Sequence, residues 1–192
     1  MNNRVKSILL AGVGGQGILR ASDILCHAFM MTGLDVKKSE VHGMAQRGGC
    51  VTSHVRYGSK VYSPIAKKGD VDILVAFEKL ETLRYLDYVK ANGVIIINEE
   101  EIYPPSVNLG DLIYPSNIID ITSNCFKTVK VINGPDIANR AGNARAVNTA
   151  LLGVLANSLE ISDDVWGRVL KESFPEKALS ANLQAFRLGQ AA

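Results

Sequence analysis

Residues able to do chemistry are concentrated in two short segments of this 192-residue sequence. The first is Gly12-Val13-Gly14-Gly15-Gln16-Gly17, a GxGxxG run with an extra glycine at Gly15. It follows the apolar residues 7–11 and precedes Ile18, Ala21, Leu25, Ala28 and Phe29, which recur at helical spacing. That setting, strand then glycine turn then helix, gives the motif its meaning. Missing side chains let the backbone turn tightly and let a ligand approach it. The helix that follows points free N–H groups and the positive end of its dipole at the same space, which suits a phosphate. The same glycines also serve a turn needed only for helix–sheet packing, and both readings stand at this level.

The second segment is Ser39-Glu40-Val41-His42-Gly43-Met44-Ala45-Gln46-Arg47-Gly48-Gly49. It joins an acid, an imidazole, an amide and a guanidinium to three glycines, and reads as a loop with at most one helical turn. A guanidinium fork beside exposed backbone N–H groups suits a phosphate or carboxylate. The bland alternative pairs Glu40 with Arg47 and packs His42 locally. No nucleophile or paired carboxylate accompanies His42, so no catalytic residue is assigned to the chain. The candidate ligand-binding set is Gly12, Gly14, Gly15, Gln16, Gly17, Ser39, Glu40, His42, Gln46, Arg47, Gly48 and Gly49. A dinucleotide site would also need an acid about 20 residues past the glycines, at the end of the second strand. Asp35 has the distance but begins that strand, and Glu40 lies too far along. Nicotinamide binding is therefore demoted.

Further elements must hold these segments in place. Residues 34–38 form a short second strand. Residues 50–57 alternate, and Gly58-Ser59 separates them from 60–65, which reads as a hairpin. Residues 71–77 are nearly all apolar, as in a strand covered on both faces. A helix over 79–90 ending at Gly93 follows, then a strand at 94–97, an irregular stretch at 99–115, a short helix within 116–126 and a last strand at 129–132. Residues 144–159 form a helix apolar nearly all round, and such a helix is buried from several sides. Ser162 is the expected N-cap of the next helix, with Asp163 and Asp164 at its positive end, and a final helix spans about 176–188. The expected fold is a three-layer, Rossmann-like α/β domain with a mostly parallel, partly mixed sheet and C-terminal helices. One domain spans 1–192, with 162–192 a helical extension. Ligands in such folds bind beyond the carboxyl ends of the strands, where both segments fall. Helix 144–159 and the C-terminal helices are candidates for contact with a partner; ordinary core helices are the competing reading.

Composition removes several classes. A content of 47% hydrophobic and 21% charged residues is that of a globular chain with an ordinary core. A net charge of +2 gives no reason to expect nucleic acid or an anionic membrane surface. Cys26, Cys50 and Cys125 are scattered, which argues against a disulfide framework and against a cluster held by closely spaced thiolates. No stretch reaches the roughly 18 apolar residues of a membrane span, and residues 1–6 lack the core of a signal peptide, so a cytoplasmic location is expected. No metal site is expected.

The glycine run followed by Glu-Val-His-Gly-Met-Ala-Gln-Arg-Gly-Gly at 40–49 resembles the paired signature of the gamma-type domain of 2-oxoacid:ferredoxin oxidoreductases. The wording of the second motif is similar to the indolepyruvate branch. The strand at 52–56, Ser63-Pro64, Ala-Phe-Glu ending at Glu78 and Leu-Arg-Tyr-Leu at 83–86 also follow that branch, and the likeness spans about residues 7–160. The resemblance implies a small, non-autonomous subunit of beta type. It implies a large alpha subunit holding thiamine diphosphate and iron–sulfur clusters, with coenzyme A as co-substrate and ferredoxin reached through the complex. It implies the oxidative decarboxylation of aryl pyruvates to aryl-acetyl-CoA, with no cofactor held by this chain alone. A different 2-oxoacid branch, a stand-alone nucleotide-binding regulator and a self-sufficient nicotinamide or flavin enzyme are the competing readings.

Overall fold

A computed structural model describes residues 5–43 and 49–192. A six-stranded sheet runs in the order β2-β3-β1-β4-β5-β6. Its strands are β1 (Lys6–Val13), β2 (Asp35–His42), β3 (Cys50–Gly58), β4 (Val71–Ala76), β5 (Val89–Asn98) and β6 (Thr128–Ile132). β1, β4, β5 and β6 pair in parallel, while β3 is antiparallel to both of its neighbours, β1 and β2. The sheet is therefore mostly parallel and partly mixed, between two helical layers. Alternate residues of β1 feed the two layers. Ile8 and Leu10 join one core with α1 (Ile18–Met31) and the C-terminal helices, and Leu9 and Ala11 join a smaller one on the other face. A strand buried this way needs apolar residues at every position, which is why 7–11 reads as a run rather than an alternation.

Three expectations are corrected. Residues 60–65 form no strand: β3 lies between β2 and β1, so neither of its edges is free. Side chains satisfy that backbone instead. Asp35 accepts the Val61 N–H at 2.8 Å, and Arg56 donates to the Ser63 and Ile65 carbonyls. The antiparallel partner of β3 is β2, which extends four residues past Lys38 to His42, into the segment read as a loop. The helix after Glu78 is also shorter than expected. It comprises α2 (Lys79–Tyr85) and a 3-10 turn at Leu86–Tyr88, and Gly93 lies inside β5. There the β4–β5 register shifts, and a Cβ on Gly93 would stand 2.4 Å from Val89 Cγ1, so the irregular strand rather than a helix end requires the glycine.

Helices α3 (Pro105–Asn108), α4 (Ile118–Cys125), α5 (Gly134–Arg140), α6 (Val147–Ala156), α7 (Asp163–Ser173) and α8 (Glu176–Gln190) complete the chain. Asn148 through Ala156 are all buried, so α6 is the apolar-all-round helix the sequence indicates. It is covered by α8 on one side and by α1 and β5 on others. Trp166, Val169 and Phe186 share its core with Phe29 and Leu155. Ser162 occupies the N-cap of α7 with Asp163 and Asp164 in the first turn, though its hydroxyl makes no capping bond. Helix α6 is thus consumed inside the chain and offers no face to a partner.

Candidate functional site

Strand β1 ends at Val13, and the chain reverses through Gly14–Gly17 into α1. Two of the glycines have local reasons. Gly17 caps α1 at φ 79°, and a Cβ there would stand 2.6 Å from Asn148 Nδ2. Gly15 sits at φ 107°, with nothing within 4 Å of where a Cβ would be. Gly17 is held by packing, whereas Gly15 opens onto free space where a ligand can approach.

Gln16 has both of its side-chain polar atoms engaged within the chain. Its Oε1 accepts the Val13 N–H at 2.8 Å, and its Nε2 donates to Phe77 O at 2.8 Å and to Glu100 Oε2 at 3.1 Å. Buried Asn98 donates to the same two acceptors, at 2.9 and 3.0 Å, and accepts the Gly134 N–H. Two amides therefore fix Glu100 at the carboxyl end of β5.

The two sequence segments meet at this rim, where the Gly14 N–H donates to Gly49 O at 2.9 Å and the Gly43 N–H to Cys50 O at 2.8 Å. Gln46, Arg47 and Gly48 lie outside the described residues. Ser39 and Glu40 sit within β2. Glu40 pairs with Lys38 at 2.6 Å and with His42 at 3.5 Å, and the Lys38 hydrogen bond holds its carboxyl below the usual range. His42 lines a cleft of about 410 Å³ with Gly14, Gly15, Gly17 and Arg20. Asp35 stands at the opposite end of β2, paired in register with Gly58, so it cannot serve a ligand at the glycine turn.

A second cleft, of about 470 Å³, opens on the other side of the turn between Gly14–Gly17, Glu100, Ile102, Arg145 and Asn148. Sequence reasoning missed this half of the site. Arg145 belongs to the 3-10 turn Ala144–Ala146 that leads into α6, and Asn148 lies in the first turn of α6. The N-terminal ends of α1 and α6 thus face one space. Each helix end contributes about 0.3–2 kcal/mol toward an anion. Among the described residues the Arg145 guanidinium has neither an ion pair nor a hydrogen bond. An available signal was the position of Arg145, just before a helix the sequence marks as buried.

A third cleft, of about 330 Å³, lies on the far side of β1, between Val13, Cys50, Glu78, Glu81, Arg84 and Tyr103. Buried Glu78 caps α2 through the Glu81 N–H and accepts the Tyr114 hydroxyl at 2.5 Å. Burial, followed by the Glu78 contact, pushes the Tyr114 phenol up. Burial, with Glu81 adding to it, pushes the Cys50 thiol up to about 11. Such a thiol stays protonated at neutral pH and is no nucleophile. Among the described residues no group of three or more His, Cys, Asp or Glu could hold a metal, and no helix is long and apolar enough to cross a membrane.

A glycine turn at the rim of a mostly parallel sheet, flanked by two helix ends, is the α/β frame on which the family match falls. Residues 7–192 match the pyruvate ferredoxin/flavodoxin oxidoreductase family, and the chain belongs to it. It is 37% identical to the indolepyruvate oxidoreductase subunit IorB of Archaeoglobus fulgidus, over 95% of this chain and 92% of that one. It is 33% identical to the IorB subunit of Methanothermobacter thermautotrophicus, over 95% of each. Its fold matches a 2-oxoglutarate:ferredoxin oxidoreductase from Magnetococcus marinus, solved with 2-oxoglutarate, coenzyme A and succinyl-CoA, at TM-score 0.74 and 25% identity. The match covers 98% of this chain but only 31% of that longer one. Pyruvate oxidoreductase subunit PORC of Thermotoga maritima shares the fold at TM-score 0.74 and 19% identity, with 98% of this chain and 96% of that one covered.

Proposed function

We propose that this chain is the beta-type subunit of an indolepyruvate:ferredoxin oxidoreductase, working in the cytoplasm with a large alpha subunit. In the assembly an aryl pyruvate and coenzyme A give aryl-acetyl-CoA and carbon dioxide, and the two electrons released pass to ferredoxin. Thiamine diphosphate and iron–sulfur clusters, held by the large subunit, supply the decarboxylation and the electron path. The residues of this chain bind and orient. Sequence identity to four archaeal IorB subunits along nearly the whole chain supports this branch over the pyruvate and 2-oxoglutarate branches.

The role of the chain in that reaction is to hold the phosphates of coenzyme A. One observation carries this reading: two helix N-termini and an Arg145 with no partner among the described residues face one cleft, beside a Gly15 backbone with open space in front of it. A guanidinium fork with converging N–H groups is matched to phosphate oxygens. Gln16 and Asn98 hold Glu100 in place, so the carboxylate lines the cleft at a fixed position and sets one boundary for the anion. The glycines line this cleft and His42 lines the neighbouring one across the glycine turn, and the chemistry of Gln46, Arg47 and Gly48 suits the same ligand.

Replacing Arg145 with Ala in the assembled enzyme tests this. The apparent KM for coenzyme A rises about tenfold, as expected for loss of one charge-assisted phosphate contact, while the KM for the aryl pyruvate stays unchanged. An unchanged coenzyme A dependence overturns the assignment.

A further inference from the structure

Segment 103–114 follows the glycine-turn rim and carries an unusual surface. Leu109, Leu112 and Ile113 are 78%, 62% and 93% exposed, and Tyr103 is half-exposed beside them. These side chains are mounted on an ordered frame. The Asp111 and Leu112 N–H groups both donate to Ser106 O, closing the turn after α3. The Tyr103 and Tyr114 rings lie 5.1 Å apart, and the Tyr114 hydroxyl is fixed between Glu78 and the Leu80 N–H. A cluster of exposed apolar side chains on a rigid mount marks a surface that another molecule covers.

Charge narrows the occupant. Asp111, within the patch, has no ion pair among the described residues, whereas Glu101 is already paired with Lys79 and Glu100 is held by Gln16 and Asn98. A second copy docked on this face by a two-fold axis would set acid against acid, which is unfavourable. The complementary surface is apolar and basic. In the 2-oxoglutarate oxidoreductase this unit forms only 31% of a longer chain, so there the accompanying polypeptide is covalently attached. A chain of this length that works with such polypeptide meets it in trans.

We infer that the face formed by Tyr103, Leu109, Leu112 and Ile113 docks the large subunit, through an apolar patch of that subunit ringed by lysine or arginine. The inference rests on the subunit reading above and adds where the contact lies. Its position beside the third cleft, which Tyr103 lines, makes the docked partner a wall of the rim that carries the coenzyme A cleft.

The test uses the full chain and the tagged large subunit, with binding measured by biolayer interferometry. The double variant Leu112→Asp/Ile113→Asp weakens assembly at least about 30-fold, the effect of losing a buried apolar anchor. Asp111→Lys weakens it less and flattens its salt dependence. Tyr62→Asp is the control. Tyr62 is 87% exposed, but it follows β3 at the opposite end of the sheet, and its replacement leaves assembly intact. Circular dichroism melts of the isolated variants match the wild type, which separates docking from folding. Wild-type affinity in the double variant, or a loss caused by Tyr62→Asp, overturns the placement. So does a wild-type chain that sediments as a dimer while the double variant sediments as a monomer, because a second copy then holds the face. A wild-type chain that fails to bind the large subunit at all removes the subunit reading itself, and this inference with it.

Discussion

Where α6 meets α8, two glycines let backbones touch. A Cβ on Gly153 would stand 2.1 Å from Phe186 O, and one on Gly189 the same distance from Ala150 O. Leu151, Leu155 and Phe186 then close around the contact with almost no exposure. At the rim, segment 103–114 has leucine, isoleucine and tyrosine too, yet leaves them open to solvent, while nearby Asn98, Glu100, Glu78 and Tyr114 are tied by hydrogen bonds. Hydrophobicity along the sequence therefore does not locate the partner surface. The most apolar helix is spent inside the chain, and the surface free for a partner lies on a short, proline-flanked segment of modest hydrophobicity. The difference is one of neighbours: α6 is roofed by its own C-terminal helix, and the rim segment is roofed by nothing in the described residues.

Three substitutions grade this contrast. The largest effect belongs to Gly189→Val. The new side chain must enter a space occupied by the Ala150 carbonyl, and the helices cannot separate without opening the core. We expect a loss of about 3 kcal/mol or more, read as a fall of roughly 6–12 °C in the thermal midpoint. A midpoint within a degree of wild type would show that the α6–α8 contact is looser than described. Asn98→Ala ranks next. It leaves the Gly134 N–H without its acceptor and removes one of the two amides on Glu100, at a cost of about 2 kcal/mol. Chemical denaturation measures the loss, and a neutral result would mean that water or a neighbour replaces the amide. The smallest effect on stability is that of Ile113→Asp in the isolated chain, within about 0.5 kcal/mol, because an exposed side chain has no native packing to lose. A large destabilisation there would mean that the rim face is already covered in the free chain.

How much of this was legible in the sequence depended on the range of the interaction. The unit β1–turn–α1 is local, and residues 7–29 announce it through an apolar run, glycines and helical spacing. The all-round apolar pattern of α6 likewise foretold its burial. The far end of β2 was hidden because Ser39–His42 is charged and polar. It is an edge strand whose place is set by pairing with Val51–His54 rather than by burial. Helix α5 carries Asn133 as a capping side chain and Pro135 in its first turn, signals present but short. The candidate site divides the same way. Gly14, Gly15 and Gly17 could be assigned from their spacing. The hydrogen bonds of Gln16 could not be foreseen, since its acceptors lie at Phe77 and Glu100. Arg145 is far along the chain from the glycine turn, and only the sheet and α6 bring it there.

The central claim is that the glycine-turn rim completes a larger enzyme and performs no reaction by itself. Reconstitution measures it most directly, with aryl-pyruvate-dependent and coenzyme A-dependent reduction of ferredoxin followed for this chain, for the large subunit, and for the two mixed. The expected result is no turnover by this chain, little by the large subunit, and full activity on mixing. Turnover by this chain alone, or a large subunit whose rate does not change when the chain is added, would contradict it.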